Sequence, residues 1–101
     1  MLDMIMAVIK TFADKSTEQF WRTGKSKGMP PANLRRIAYR KLTLLDLATT
    51  LDDLKSPPGN CLKALHSDRA GQHSIRINDQ FRVCFKWKDG DAYAVEVTDY
   101  H

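Results

Sequence analysis

The last thirty-one residues, GQHSIRINDQFRVCFKWKDGDAYAVEVTDYH from Gly71 to His101, decide the fold. They contain three runs rich in β-branched and aromatic residues, separated by an Asn-Asp pair and an Asp-Gly pair. This pattern is typical of three antiparallel strands joined by two hairpins. The large apolar residues of the runs share odd numbers: Ile75, Ile77, Phe81, Val83, Phe85, Trp87, Tyr93, Val95 and Val97.

This shared parity predicts the strand register. One buried face collects all the odd-numbered side chains only if both hairpin loops contain an odd number of residues. We therefore predict three-residue loops at 78–80 and 88–90, with Gly90 in a left-handed conformation. The predicted cross-strand pairs are Ile77 with Phe81, Phe85 with Tyr93 and Val83 with Val95.

The other face of the predicted sheet carries charge, with Arg82 at the strand surface between Arg76 and Glu96. Directly opposed like charges destabilise a sheet by ~0.2–1 kcal/mol, so the arginine pair indicates an anion-binding surface. The chain ends beside this pair with an acid, a phenol and an imidazole: Asp99, Tyr100 and His101. A second interpretation stays open, in which Arg82 and Glu96 form a surface ion pair and the end of the chain frays.

Length and composition predict one soluble domain spanning residues 1–101. The chain is 43% hydrophobic and 28% charged, which is ordinary for a globular protein. The apolar run from Met4 to Ile9 is too short for a signal peptide or a membrane span, so we expect a cytoplasmic protein without membrane contact. Cys61 and Cys84 lack metal-ligand spacing, and we expect free thiols rather than a disulfide or a zinc site.

The positive charge is concentrated in the first part of the chain. The net charge is +4, and residues 1–60 carry ten lysines and arginines against six acids, whereas residues 61–101 carry six of each. We expect these cations mostly on helices. A basic helical flank beside a sheet favours a polyanionic partner such as an RNA backbone.

The first sixty residues predict one strand and two helices. The expected elements are a strand from Met4 to Phe12, a helix capped by Ser16 or Thr17 and ended by Gly24, a main helix from Ala32 to about Ala48, and a turn from Leu51 to Leu54 with a Thr50/Asp53 capping box.

Several polar residues outside the arginine pair are candidates for RNA contact. Arg35, Arg36 and Arg40 lie mostly on the side of the main helix opposite its apolar residues, where a solvated surface is the other interpretation. His66 lies in the loop that leads to the sheet. His73 shares the parity of the buried face, so we expect it to pack at a strand edge.

Four segments together resemble one protein family. They are Ser56-Pro57-Pro58-Gly59-Asn60, the string from Asp68 to Arg82, the string from Asp89 to Tyr93, and the terminal Asp99-Tyr100-His101. They closely resemble the HigB toxins of the RelE/ParE superfamily, and the similarity extends from about Ile9 to His101. The resemblance implies an α+β fold: a small twisted antiparallel β-sheet with two main α-helices packed on one face. That fold agrees with the predicted elements.

The resemblance also implies a function. HigB toxins are ribosome-dependent mRNA endonucleases of type II toxin–antitoxin systems. They cleave translated mRNA in the A site of the small ribosomal subunit and are neutralised by a HigA-like helix-turn-helix antitoxin. The family's terminal acid, tyrosine and histidine match Asp99, Tyr100 and His101, and its strand arginine matches Arg82. Arg76 fits the common form of the motif, and either Lys63 or His66 takes the place of a basic RNA contact.

The implied chemistry needs neither a metal ion nor a cofactor, because the RNA 2′-hydroxyl attacks its own phosphate. Arg76 and Arg82 would stabilise negative charge, Tyr100 or Asp99 would orient or deprotonate the 2′-hydroxyl, and His101 would protonate the leaving oxygen. Two alternatives remain: a ParE-like toxin that acts on gyrase without cutting RNA, and an RNA-binding module without catalysis.

Overall fold

The computed structural model describes residues 8–99 of the chain. Part of the predicted first strand, Tyr100 and His101 therefore lie outside the described residues. The α-helices are α1 (Lys15–Thr23) and α2 (Arg35–Leu47), and the strands are β1 (Lys63–Ala64), β2 (Gln72–Arg76), β3 (Phe81–Lys88) and β4 (Asp91–Asp99). Short 3-10 helices occupy Ala32–Leu34, Leu51–Lys55, Pro58–Asn60 and Ser67–Arg69.

The four strands form one antiparallel sheet in the order β1-β2-β3-β4. Both α-helices contribute to the core on one face of this sheet, through fully buried side chains such as Phe20 of α1 and Leu42 of α2. The predicted α+β fold is thus confirmed. Strand β1 was not predicted. The predicted first strand is wrong in its described part, because Ile9 and Phe12 make only isolated parallel bridges to β4.

The hairpin between β2 and β3 has the predicted register. Arg76 lies opposite Arg82, and the backbone N–H of Ile77 donates to the carbonyl of Phe81 over 2.9 Å. The loop therefore contains three residues, 78–80, as the parity of the apolar residues predicted. The carboxamide oxygen of Asn78 stabilises the loop by accepting the N–H of Phe81 at 2.7 Å.

The predicted register between β3 and β4 is wrong. Lys88 pairs with Asp91, so the turn contains only two residues, both left-handed, with φ of 52° at Asp89 and 84° at Gly90. This combination of positive φ angles is what a tight hairpin turn requires. A two-residue turn reverses the parity of the partner strand, and a β-bulge then restores it.

The bulge lies where the register shifts between Cys84 and Lys86, next to Ala94 with φ of 52°. One extra residue on β4 changes the faces of the residues before it. The predicted pairs are therefore replaced: Val83 faces Val97, Arg82 faces Thr98, Cys84 faces Glu96 and Lys86 faces Tyr93. Tyr93 consequently leaves the buried face, on which Val95 and Val97 remain.

The outer edge of β4 is covered by the chain around residues 8–17. Val95 donates its N–H to the carbonyl of Thr11 at 3.1 Å, and Val97 donates to the hydroxyl of Thr17 at 3.0 Å. Ala94 also donates its N–H, to the hydroxyl of Thr11 at 2.8 Å. These bonds occupy donors that would otherwise leave an open strand edge, where further strands could pair.

The helix ends follow local capping. Helix α1 is capped by Asp14, whose carboxylate accepts the N–H of Thr17 at 3.1 Å, so the predicted cap at Ser16 or Thr17 is wrong. Gly24, with φ of 76°, ends the helix as predicted. The predicted capping box of Thr50 and Asp53 is confirmed.

The bulge predicts an unusual response to glycine. Ala94→Gly should leave stability unchanged or raise it by up to ~1 kcal/mol, because a left-handed residue with a Cβ atom is strained. Ala92→Gly, in the same strand but fully buried, should destabilise by ~1 kcal/mol. Urea denaturation measures both. Equal destabilisation by the two substitutions would contradict the strained geometry at Ala94.

Candidate functional site

The face of the sheet opposite the helices, called here the outward face, carries three lateral rows of side chains. Because cross-strand partners share a face, the register assigns the members of each row. The first row is Arg76, Arg82 and Thr98, the second Ser74, Cys84 and Glu96, and the third Gln72, Lys86 and Tyr93. The predicted lateral pair of arginines is therefore present at one end of the outward face.

Arg82 is buried, contrary to the prediction that it lies at the strand surface. The residue is 8% exposed, its Nε donates to the Ser74 hydroxyl at 2.6 Å, and its Nη2 donates to the Cys61 carbonyl at 2.5 Å. The guanidinium thus joins the loop before β1 to the sheet. A buried charge needs such partners because its desolvation is costly.

The second interpretation, a surface ion pair between Arg82 and Glu96, is wrong. Glu96 faces Cys84 across the strands, and its carboxylate accepts from Arg69 at 3.2 Å. Burial raises the pKa of the Cys84 thiol, which keeps this side chain neutral in the middle row. The acid predicted to compensate Arg82 therefore compensates a different arginine.

Arg76 differs from Arg82 in its exposure. Its side chain is 37% exposed, and its Nη2 donates to the Asp79 carboxylate, which is 99% exposed, at 2.5 Å. Such an ion pair contributes little to stability because water screens it. The guanidinium has five N–H donors, so Arg76 can bind an anion while keeping its place beside Arg82.

Lys41 is a third cation at this end, and the sequence analysis missed it. The residue is 7% exposed on α2, and its Nζ donates to the Asn60 carboxamide oxygen at 2.6 Å. Burial, followed by the positive charges of Arg40 and Arg76, holds the pKa of Lys41 below its usual range. The available signal was its spacing, since Lys41 lies three residues after the buried Ala38.

Asn60 fixes the loop between Lys41 and Arg82. The side chain is fully buried, and its Nδ2 donates to the carbonyls of Leu54 at 3.1 Å and Ser56 at 3.3 Å. The next residue, Cys61, supplies the carbonyl that binds Arg82. One short loop therefore connects the buried lysine to the buried arginine.

Asp99 lies at the same end of the sheet as the arginine pair. It faces Phe81, next to the row of Arg82, and its Oδ2 accepts from the Gln80 carboxamide at 2.9 Å. Asp99 thus shares this end of the sheet with Arg76 and Arg82, but its cross-strand partner Phe81 is in the core, so the register does not place Asp99 on the outward face with the arginines. Tyr100 and His101, the remaining predicted members, follow directly but lie outside the described residues.

The other predicted RNA contacts are spread over the surface. Lys63 is exposed opposite Ser74, close to the arginine pair, whereas His66 is exposed beyond the end of β1. Arg35 donates to the Ser26 hydroxyl at 3.1 Å. Arg36 and Arg40 are exposed on α2, and the charge of Arg40 acts on Lys41 together with that of Arg76. Among residues 8–99, no hydrogen bond or ion pair joins these helix arginines to the outward face.

His73 packs at β2 as predicted, with its ring 6.3 Å from that of Phe85. Cys61 is exposed and Cys84 buried, and both are free thiols, as predicted. Within residues 8–99, no group of three or more His, Cys, Asp or Glu side chains is arranged to hold a metal ion. In the same part of the chain, no helix is long and apolar enough to cross a membrane.

Comparison with known proteins agrees with this geometry. Residues 10–101 match the model of the HigB-like toxin family, described as RelE-like toxins of the type II toxin–antitoxin system HigB. The chain belongs to the HigB-like toxin family. Its membership confirms the family resemblance drawn from the sequence motifs.

Individual relatives cover most of the chain. Toxin HigB-1 of Vibrio cholerae is 41% identical over 80% of this chain and 85% of its own length. Endoribonuclease HigB of Proteus vulgaris is 33% identical over 93% of this chain and 100% of its own. The YoeB-YefM complex from Staphylococcus aureus contains a chain with a TM-score of 0.59 and 18% identity, over 95% of this chain and 98% of that one. This last similarity shows the shared fold.

Burial predicts different costs for the two arginines of this HigB-like toxin. Arg82→Ala should destabilise by ~1–3 kcal/mol or more, because it leaves the Ser74 hydroxyl and the Cys61 carbonyl without their donor. Arg76→Ala is the matched control and should change stability by no more than ~0.5 kcal/mol. Urea denaturation of the two variants tests this. Equal stability of Arg82→Ala and the wild type would exclude the anchoring role.

The lowered pKa of Lys41 predicts a pH-dependent stability. Because the fold disfavours the charged amine, Lys41 weakens stability at neutral pH, and this loss is relieved as pH rises from the lowered pKa towards 10.5. The stability of the wild type relative to Lys41→Met should therefore increase over that alkaline interval. Denaturation from about pH 7 to about pH 10 measures it. A constant difference across the interval would show that Lys41 ionises as it does in the unfolded chain.

Proposed function

We propose that this HigB-like toxin is a metal-independent endoribonuclease that cuts translated mRNA in the A site of the small ribosomal subunit. The observation that carries the proposal is the pair of Arg76 and Arg82, one half-exposed and one fixed, at the end of the sheet where Asp99 lies. The name of the Proteus vulgaris relative, Endoribonuclease HigB, supports it. The partner we propose is a HigA-like helix-turn-helix antitoxin.

The arginine pair suits the stabilisation of a phosphorane-like transition state. Arg82 is already oriented by Ser74 and the Cys61 carbonyl, so its charge needs no reorganisation during the reaction. Arg76 is exposed and can exchange its weak contact with Asp79 for a phosphate oxygen. Lys41, behind the same loop, adds positive potential without touching the RNA.

The reaction proceeds by transfer within the RNA. The 2′-oxygen forms a bond to the adjacent phosphorus as the bond from phosphorus to the 5′-oxygen breaks, giving a 2′,3′-cyclic phosphate and a free 5′-hydroxyl. Asp99 or Tyr100 receives the 2′-hydroxyl proton, and His101 donates a proton to the leaving oxygen. The roles of Tyr100 and His101 rest on the terminal motif shared with the family.

Ribosome dependence follows from the weakness of the proposed base. Asp99 is exposed at the end of β4. Precise placement of the mRNA by the ribosome can supply what a weak base does not, since orientation alone contributes several orders of magnitude. Lys63 is the better placed of the two basic loop candidates for RNA contact, because it lies opposite Ser74, which binds Arg82.

Cleavage of one reporter RNA, on programmed ribosomes and free in solution, tests the proposal. We expect cuts only on ribosomes, and a rate ~10²–10⁴ lower after Asp99→Asn or deletion of His101. Metal dependence is tested by replacing Mg²⁺ with exchange-inert cobalt hexammine, which should leave the rate of cleavage on ribosomes unchanged. Ribosome binding, measured by co-sedimentation, should be unaffected by Asp99→Asn and by deletion of His101.

Three results would contradict the proposal. Equal cutting of free RNA would remove the ribosome requirement. Normal single-turnover cleavage without His101 would remove its role as the acid. Intact mRNA together with gyrase-dependent DNA damage, after expression of the toxin, would replace the endoribonuclease by a ParE-like function.

A further inference from the structure

The bulge in β4 places one aromatic side chain on the outward face. Because the register shifts between Cys84 and Lys86, Tyr93 lies opposite Lys86 rather than in the core. The conformation of Ala94 that accompanies the bulge, with φ of 52°, is strained for a residue with a Cβ atom. Bulges often re-aim a side chain towards a binding site, and such strain is common at functional positions.

Tyr93 and Lys86 border a shallow cavity of about 580 Å³, whose other lining residues are Gly71, Trp87, Lys88 and Asp89. Lys86 and Lys88 are exposed and Tyr93 is half-buried. The aromatic pairs among the described residues do not include Tyr93. The cavity thus offers the rings of Tyr93 and Trp87, two ammonium groups and one carboxylate, which favours a ligand with both an aromatic ring and negative charge.

This cavity and the arginine pair lie on one continuous face. Arg82 and Lys86 are four residues apart on β3, which corresponds to about 13 Å along the strand. Between them lies the row of Glu96, whose carboxylate is held by Arg69. A single strand of RNA with its scissile phosphate at the arginine pair can therefore reach Tyr93 with a base a few nucleotides away.

We propose that Tyr93 and Lys86 form a stacking subsite for one base of the RNA strand that is cleaved at Arg76 and Arg82. The inference rests on the proposed function and adds the place where the strand is held. Stacking on an aromatic ring tolerates every base, while lysine binds the phosphate beside it. The subsite would therefore fix the position of the strand without reading its sequence.

The probe is an oligoribonucleotide that cannot be cleaved, because the attacking 2′-hydroxyl is methylated. In a series of such RNAs, one nucleotide at a time lacks its base. For wild-type toxin, affinity measured by fluorescence anisotropy should fall ~5- to 100-fold at one position and little elsewhere, as expected for the loss of one stacked base. A uniform response along the strand overturns the subsite.

Substitutions at position 93 test whether that base stacks on Tyr93. Tyr93→Ala should bind the intact RNA as weakly as the wild type binds the abasic RNA, and its affinity should fall no further with the abasic RNA. Tyr93→Phe keeps the ring and should bind nearly normally. Lys86→Met should weaken RNA binding. The matched control Lys55→Met, which removes an exposed lysine elsewhere, should not. A loss of affinity at the abasic position that persists in Tyr93→Ala overturns the assignment. The abasic series uses wild-type toxin, so that test does not depend on whether a variant folds.

The assay separates this inference from the proposed function, because binding of a methylated RNA requires no cleavage. A position-specific abasic effect on a toxin that cuts no mRNA supports the subsite and contradicts the endoribonuclease. Cleavage of mRNA without any position-specific abasic effect supports the endoribonuclease and contradicts the subsite. If Tyr93→Ala weakens binding of the antitoxin but not of RNA, the surface belongs to the antitoxin and the subsite is excluded.

Discussion

The pairing of β3 with β4 has to reconcile a tight turn with a buried face. A two-residue turn at Asp89-Gly90 without the bulge would turn Val95 and Val97 outward, although both are buried in the structure. Exposing two valines would cost about 1.5–3 kcal/mol each. A left-handed alanine costs about 1–2 kcal/mol, so the bulge at Ala94 costs less free energy than exposing the two valines. The rows of the outward face, and the place of Tyr93 within them, follow from that choice.

The loop between Leu54 and Cys61 closes the charged end of the sheet. Asn60 holds it to Lys41 on one side, and the carbonyl of Cys61 holds it to Arg82 on the other. Each cation gains a partner that compensates part of its desolvation, and each partner would be left unsatisfied without its cation. The arginine pair is therefore part of a buried polar network and not simply a pair of side chains on the strand surface. That network fixes the position of Arg82.

Sequence patterns predicted the fold class, the loop at 78–80 and the lateral pairing of Arg76 with Arg82. They failed at the second hairpin because parity alone cannot distinguish an odd loop from an even loop followed by a bulge. They missed β1 because two residues are too few to show alternation. The burial of Arg82 was also beyond local patterns, since its cover comes from Cys61, twenty-one residues earlier.

The position of the charged residues was also only partly predictable from local sequence patterns. The distribution of charge along the sequence predicted the cationic excess on the helices. Arg36 and Arg40 are exposed there, whereas Lys41, to which sequence patterns assigned no role, is buried within range of the charge of Arg76. Burial lowers the pKa of Lys41, and the positive potential of Arg40 and Arg76 lowers it further. A phosphate bound at Arg76 would oppose that potential and favour the charged amine. Binding of an anion at Arg76 would therefore be thermodynamically linked to protonation of Lys41.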